Sequence, residues 1–489
     1  MKLRLPTLHC LMVALLLGGA FCVVAQGVTN VTVTGSAVGA AGKTIGLYGY
    51  DDMLSRNEVL FEEAIIDGDG RFVLHCYANY PRLVYLQAEN YSQAFYVEPG
   101  RNYQVYIPQF DWTIDERQNV FLAPVALPVE FLGLGDNELN LRIARFDAVV
   151  DSFVSVHRVY FDPKYKPQRR WFDTLRAELS RRGVAPLLPE SEGAGFYDRY
   201  ATYSLAEMQL AMRFTSRGKL IDKYIKDQPV RYYDESYMQL FLVLYAHSVS
   251  GGTKRIGLHR LTEWVERGDI ATMLDSLGLD PLLRNEQVRE LAALEALKEC
   301  YYDSRYNSAA VVRMVELLGA QSRFAEHKQL AQRLKATLTR GEHGQEVAPF
   351  VLPDVDRQPV DVDSLRGKWV YLSFVRVDDP ASRAEIETMA FFRDSVYGRY
   401  SNVVFVSVSC DREFQKMYHF LKNNRKGHRY NWTWLHFDGN YRLLERYGVV
   451  SYPTFILIDP EGRRYYNVTP APASGILMHG PWEKGRGEK

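Results

Sequence analysis

The hydrophobic period of the chain changes twice. From about Val28 to Ile107, apolar and polar positions alternate in short runs, VTVTG, IGLYGY, RFVLHCY, RLVYLQA and AFYVEPGRNYQVYI, broken by turn residues at DGDG (67–70) and EPG (98–100). A period of two predicts half-buried strands, and this many short ones predict a small antiparallel β-sandwich. From about Asp136 to Arg340 the apolar positions step by three and four instead. Leu139, Ile143, Phe146, Val150 and Phe153 share one helix face, with Asp136 placed as the N-cap. Tyr237 to Ala246 is apolar nearly all round, as in a helix buried within a bundle. Val288, Leu291, Leu294 and Leu297 continue the spacing, as do Phe324, Leu330, Leu334 and Leu338. No repeat period links these segments, which predicts an irregular all-α domain rather than a solenoid.

After RGEHGQEVAP (340–349), whose glycine, charge and proline read as a linker, the pattern changes again. WVYLSFV (369–375) and VVFVSVS (403–409) are continuous apolar strands suited to burial on both faces. Asp379 is placed to cap a helix with Pro380 in its first position. Asp411 is expected to open the next helix, turning Phe414, Met417 and Leu421 inward; LLERYGV reads as a short helix and Pro453 to Asp459 as a last strand. Strands alternating with helices predict an α/β unit with its sheet covered on both faces.

A length of 489 residues fits about three domains. Lysine plus arginine and aspartate plus glutamate each total 59, so no overall field attracts nucleic acid, and no nucleic-acid partner is expected. The N-terminus adds a targeting signal. Lys2 and Arg4, the apolar stretch Leu11 to Val24 and Val23-Val24-Ala25 read as a secretory signal cleaved near Ala25. Cys22 would suit a lipoprotein, but Phe21 stands where that processing wants a small residue. The mature chain has no later run long enough to span a membrane.

Cleavage removes Cys10 and Cys22 and leaves Cys76, Cys300 and Cys410, too scattered for a disulfide framework and read as buried thiols. Ala37-x4-Gly42-Lys43-Thr44 matches a loose phosphate-loop pattern, but the strand-like IGLYGY follows it where a helix is required, so the match is chance. With no Cys/His cluster and no His-Glu-x-x-His spacing, neither metal nor cofactor is expected. The expected division is a signal peptide at 1–25, a β-sandwich at 26–127, a helical domain at 128–340, an α/β domain at 341–470 and a polar tail at 471–489.

The region from Val347 to about Tyr466 resembles the thioredoxin-like domain of the TlpA group, exported thiol-disulfide oxidoreductases of bacterial envelopes. The resemblance rests on Ala348-Pro349-Phe350, Leu365-Arg366-Gly367-Lys368, the strand ending at Phe374, Arg383-x-Glu385, Tyr447-Gly448-Val449, and Tyr452-Pro453-Thr454 followed by FILID. Gly35, Asp69-Gly70-Arg71-Phe72 and Val97-Glu98-Pro99-Gly100 likewise resemble the β-rich domain that precedes such units in Bacteroidetes-type envelope proteins. The resemblance implies a Cys-x-x-Cys pair after the strand, at positions that here hold Asp379 and Ser382. Dithiol exchange needs an attacking thiolate and a resolving thiol, and neither residue supplies one. It also implies a cis-proline at Tyr452-Pro453, beside which the family pairs an extended substrate segment by β-augmentation.

The sequence therefore reads as an exported periplasmic or envelope protein with a redox-inactive thioredoxin-like domain that holds an extended peptide or an envelope protein. The contact surface implied is Asp379, Pro380, Ala381 and Ser382 with Tyr452, Pro453 and Thr454. Two alternatives stay open. One is a thiol-disulfide oxidoreductase or peroxidase working through Cys410, which needs exposure and a nearby positive group. The other places ligand binding in the helical middle.

Overall fold

A computed structural model describes residues 29–112, 125–162, 164–166, 169–187, 194–250, 257–340, 343–423, 430–478 and 480–482. The segment read as a secretory signal lies outside them. The alternating region folds as β1 (Thr29–Ala37), β2 (Thr44–Tyr50), β3 (Glu58–Ile65), β4 (Arg71–Ala78), β5 (Arg82–Ala88), β6 (Tyr91–Val97), β7 (Asn102–Ile107), β8 (Val125–Ala126) and β9 (Glu130–Leu132). They form two sheets, β4-β1-β7-β9 and β3-β2-β5-β6-β8, that share one apolar cluster: Val31, Val33 and Leu74 come from the first sheet, Ile45, Leu47 and Val84 from the second. In β4 the period of two is literal, with Phe72, Leu74, Cys76 and Ala78 buried and Arg71, Val73 and Tyr77 exposed. Gly70 closes the turn before it at φ +78°, where a Cβ would stand 2.8 Å from the carbonyl oxygen of Ala37.

Two expectations change here. The sheets are not wholly antiparallel, because β1 runs parallel to β7 and β6 parallel to β8. Hairpin alternation fixes direction only between strands joined by a short turn, and these pairs are not. The first sheet also extends through β9 to Leu132, past the expected boundary at 127. Thr44 begins β2 with no helix after Lys43, whose ammonium pairs with Glu89 instead.

The middle region is helical: α1 (Leu139–Val156), α2 (Arg169–Arg181), α3 (Phe196–Ala211), α4 (Arg217–Tyr224), α5 (Glu235–Tyr245), α6 (Leu258–Arg267), α7 (Ile270–Leu277), α8 (Glu286–Tyr301), α9 (Ser308–Gln321) and α10 (Ala325–Leu338). Phe146 of α1 packs with Phe172 and Leu175 of α2 and with Tyr197 of α3. A larger cluster surrounds α8, whose Val288, Leu291, Leu294 and Leu297 are fully buried. The cap of α1 is Glu138 rather than Asp136. Glu138 is buried and extended, and its carboxylate accepts from Leu141 N at 3.0 Å, while Asp136 pairs with Arg145 at the surface.

The β-rich and helical regions interlock through side chains from both. Leu54, in the connection from β2 to β3, is 1 % exposed and belongs to the helical cluster, and Lys298 Nζ donates to its carbonyl at 3.3 Å. Asn140 serves as a strand partner for Tyr96, accepting from its N–H at 2.7 Å and donating to its carbonyl at 2.8 Å. Glu235, the first residue of α5, accepts from Leu83 N of β5 at 3.1 Å.

The C-terminal region contains β10 (Val351–Pro353), β11 (Pro359–Asp361), β12 (Trp369–Val375), α11 (Pro380–Arg399), β13 (Val403–Ser409), α12 (Phe414–Asn423), β14 (Thr433–His436), α13 (Tyr441–Arg446) and β15 (Thr454–Ile458). Its main sheet is ordered β14-β13-β12-β15, parallel except for β15, and both faces are covered as the apolar runs predict. Val370, Leu372 and Phe374 face Leu443, Leu444 and Tyr447 around α13. On the other face, Tyr371, Phe405 and Leu457 meet Met389 and Val396 of α11.

The segment read as a polar tail is not one where it is described. Ile476, Leu477 and Trp482 are buried in the same apolar cluster as Tyr371 and Phe405, with the Trp482 ring beside Trp369 and Tyr400, because these apolar residues add to the cover of that sheet face. The linker is also tied down, with Gly344 N donating to Arg464 O at 2.7 Å and Val347 N to Gly462 O at 3.0 Å.

One arginine fastens this region to the β-rich one. Arg442 of α13 is 9 % exposed, donates to Gln87 Oε1 at 2.7 Å, pairs with Glu58, and lays its guanidinium 3.7 Å from the ring centre of Tyr48. Among the described residues no helix is long and apolar enough to cross a membrane.

Candidate functional site

The register of the C-terminal sheet brings three chain segments to one edge. Val375 of β12 stands opposite Ser409 of β13 in the parallel pair, and Phe374 opposite Thr454 of β15 in the antiparallel one. The carboxyl ends of β12 and β13 therefore meet the amino end of β15. Residues 376–382, 410–411 and 452–454 become neighbours at the kind of edge where open α/β sheets build sites.

The turn into α11 is held by hydrogen bonds from within and from below. Asp379 Oδ2 accepts from Ser382 N at 2.7 Å, the N-cap expected from Asp379-Pro380. Ser382 is fully buried, and its Oγ accepts from Arg376 N at 3.3 Å. Pro380 and Ala381 are exposed. Replacing Asp379 with alanine is expected to cost about 0.5–2 kcal/mol in denaturant unfolding, with Asp379→Asn retaining most of the stability. A carboxylate with no capping role would give no such difference between the two variants.

Asp411 lies beneath this turn and does not start a helix. Residue 414 begins α12, and Asp411, 1 % exposed, instead accepts from Val377 N at 2.8 Å and from Ser409 Oγ at 2.7 Å, both at Oδ2. Among the described residues its Oδ1 has no hydrogen-bond partner. Burial pushes the Asp411 carboxyl above its ordinary range, against those two hydrogen bonds. Asp378, exposed at the rim, goes the other way: burial opposes ionisation, but hydrogen bonds from Lys416 at 3.1 Å and Arg376 at 3.2 Å hold it below the usual carboxylate range.

Across the edge, the Tyr452-Pro453 peptide bond is cis, and Tyr452, Pro453 and Thr454 are half-buried. Val450 beside them is 72 % exposed. Cys410 sits between the two halves. Its N–H donates to Val375 O at 2.7 Å, and its thiol shares a hydrogen bond with the Tyr452 hydroxyl. The residue is half-buried, where full burial was expected. Burial nonetheless pushes the Cys410 thiol far above its ordinary value, the Tyr452 hydrogen bond and Arg376 oppose this, and Asp411 reinforces it. Reactive cysteines need the opposite balance.

Cys76 and Cys300 are buried and form no disulfide among the described residues, with thiols pushed up by burial to about 11 and about 12. No group of three or more His, Cys, Asp or Glu side chains is placed to hold a metal ion among the described residues.

Every residue named from sequence at this site lies at the one edge. Sequence reasoning missed Asp411 as the support of the turn, and it missed the Arg376, Asp378 and Lys416 cluster. The signal for Asp411 was an acid two residues after a strand buried on both faces, a place where a carboxylate finds backbone N–H groups more readily than water.

The AhpC/TSA family model matches residues 343–464. No curated protein matches the chain. Among solved structures, the chain is similar to the thioredoxin domain of a thiol-disulfide oxidoreductase from Bacteroides vulgatus, at 19% identity over 29% of this chain and 96% of that one, with a TM-score of 0.25. A thiol:disulfide interchange protein from Bacteroides sp. is similar at 18% identity over 30% and 95%, TM-score 0.26. A secreted disulfide oxidoreductase of Mycobacterium tuberculosis is similar at 24% identity over 26% and 94%, TM-score 0.22. The β14-β13-β12-β15 sheet and the family match agree on one statement: residues 343–464, the C-terminal region of this chain, form a thioredoxin-like domain of the AhpC/TSA type.

Proposed function

We propose that this is an exported envelope protein of TlpA-like organisation whose thioredoxin-like domain binds an extended peptide or protein segment without exchanging disulfides. The observation that carries the reading is what occupies the two positions matched to the family's cysteines. Asp379 is spent on capping α11, and Ser382 is buried with its hydroxyl accepting from Arg376 N. Neither can form or resolve a mixed disulfide. The binding half of the frame is supported by the half-buried Tyr452, Pro453 and Thr454 at the amino end of β15, next to the exposed Pro380 and Ala381. β15 pairs with β12 on one side; on the other, Leu457 already accepts from Tyr465 N at 2.8 Å and donates to Thr469 Oγ1 at 2.9 Å, so an extended segment would add through main-chain hydrogen bonds at the amino end, beside Tyr452 to Thr454.

The test is disulfide reduction by the chain from residue 26 onward, with Cys410→Ser assayed beside it. No turnover is expected from either protein, since burial keeps the Cys410 thiol protonated at neutral pH. Turnover abolished by Cys410→Ser would overturn the reading and make the protein a single-thiol oxidoreductase or peroxidase.

A further inference from the structure

The charges of the whole chain cancel, but those at the tip of the α1–α2 hairpin do not. Residues 157–171 carry five cations, Arg158, Lys164, Lys166, Arg169 and Arg170, against one acid, Asp162. Widening the window to 151–182 adds three cations and three acids and leaves the same excess of four. All five cations are exposed, and none of them forms an ion pair among the described residues. The carboxylate of Asp162 is turned back on its own loop, where Oδ1 accepts from Lys164 N at 2.9 Å.

Apolar side chains stand in water among these cations. Val156, the last residue of α1, is 75 % exposed, Val159 is 43 % exposed and Tyr165 46 %. They sit on a backbone that is tied down. Arg213, just past the end of α3, donates through Nη2 to the carbonyls of Asp162 at 2.6 Å and Tyr165 at 3.0 Å. Beneath the tip, the His157 ring lies 4.2 Å from that of Phe153 and 4.8 Å from that of Trp171, centre to centre, and Phe153 and Phe172 are buried in the helical core. The fold thus holds aliphatic and aromatic surface outside its core at the place where positive charge is most concentrated. A polyanion dissolved in water satisfies the cations and gains nothing from Val156 and Val159. A bilayer with anionic headgroups takes both, because the cations meet the headgroups while valine and tyrosine side chains reach the acyl boundary.

We propose that the tip of the α1–α2 hairpin docks the protein on the surface of a bilayer containing anionic lipid, with Lys164, Lys166, Arg169 and Arg170 at the headgroups and Val156, Val159 and Tyr165 at the acyl boundary. The contact is peripheral and reversible, resting on a few side chains and the field of the lipid rather than on a spanning segment. It belongs to the helical region, and the inference is independent of the peptide-binding reading.

The experiment is co-sedimentation with sucrose-loaded vesicles, using the chain from residue 26 onward so that the apolar stretch Leu11 to Val24 takes no part. At low ionic strength, vesicles of equal parts phosphatidylcholine and phosphatidylglycerol should carry the protein down, and vesicles of phosphatidylcholine alone should not. Salt at about 1 M, which shortens the reach of the field to about 3 Å, should release it. The double variant Lys164→Gln with Lys166→Gln should weaken binding about 25-fold, equivalent to about 2 kcal/mol at about 1 kcal/mol per cation near an anionic surface. Val156→Ser with Val159→Ser keeps every charge and should weaken binding about tenfold, equivalent to about 1.4 kcal/mol. All four side chains are exposed, so both variants are expected to melt like the parent. The proposal is overturned if the two vesicle compositions bind alike or if the lysine variant binds unchanged. It is equally overturned if the valine variant binds vesicles as the parent does, a result that would make the tip a site for a polyanion such as nucleic acid.

Discussion

Arg442→Ala is expected to destabilise the protein by about 3–5 kcal/mol, because the substitution takes from the half-buried Glu58 carboxylate the guanidinium that pairs with it. The side chains of Arg442 and Glu58 are 10% and 15% exposed, so water does little to relieve the orphaned charge. The same change removes the hydrogen bond to Gln87 and the guanidinium over Tyr48. All of these contacts join the thioredoxin-like domain to the β-rich region. Denaturant unfolding followed by two probes, one in each region, should therefore split from a single transition into two. The double variant Arg442→Met with Glu58→Leu should recover much of the loss, since replacing both members of a buried pair with apolar groups is often neutral or better. A single alanine variant that unfolds like the parent would show that the two regions are held elsewhere.

Glu235→Gln is expected to stabilise the protein above pH 7 and to leave it unchanged near pH 4. Burial pushes the Glu235 carboxyl from its ordinary 4.5 to about 7, against the hydrogen bond from Leu83 N and the charge of Arg82. Its Oε2 is buried and has no hydrogen-bond partner among the described residues. A carboxyl with a raised folded pKa favours the folded state fully below the unfolded value, and that contribution is lost as pH climbs through the folded one. Each tenfold change in proton affinity is worth about 1.4 kcal/mol, so the rise from 4.5 to about 7 amounts to about 3 kcal/mol, or about 2 after allowing for partial exposure.

Two other buried groups slope across the same range. Glu207, also raised to about 7 by burial, adds to the loss, while His327, lowered by burial, destabilises the protein as pH falls below its ordinary 6.5. Comparing Glu235→Gln with the parent at each pH cancels both contributions. Parallel stability curves from pH 4.5 to 8 would refute the burial of charge at this junction.

The thioredoxin-like domain was the most legible part of the chain, for a physical reason. Strands covered on both faces must be apolar throughout, so WVYLSFV and VVFVSVS stand out from any amphipathic pattern, and Asp379-Pro380 marks the following helix from local chemistry alone. The edges of the candidate site were legible as well, because Tyr452-Pro453 sits next to a recognisable strand. The supports were not. Arg442 lies in a short charged helix that reads as solvent-facing, and its acceptor Gln87 is 355 residues away. Leu54 reads as a turn residue among Asp51, Asp52 and Ser55, yet its side chain completes the helical cluster. Asp411 has the composition of an N-cap and the position of a buried anchor. In each case the pattern along the chain is set by near neighbours, whereas the residue's role is set by a partner from another region.

The burial of Trp482 sets an order on how the protein can be made. β12 is the first strand of the thioredoxin-like sheet to be synthesised, yet the cluster around Tyr371, which α11, Phe405 and Phe455 cover in part, is completed only when the ribosome has added Ile476, Leu477 and Trp482. The β-rich and helical regions can close around Leu54 while synthesis continues, but the C-terminal sheet cannot hide its second face until more than a hundred further residues have emerged, an interval of several seconds at about 5–20 residues per second. During that interval part of the sheet's apolar face is open to solvent, the condition under which partly made domains aggregate. A chain stopped at 470 would keep that exposed face for good.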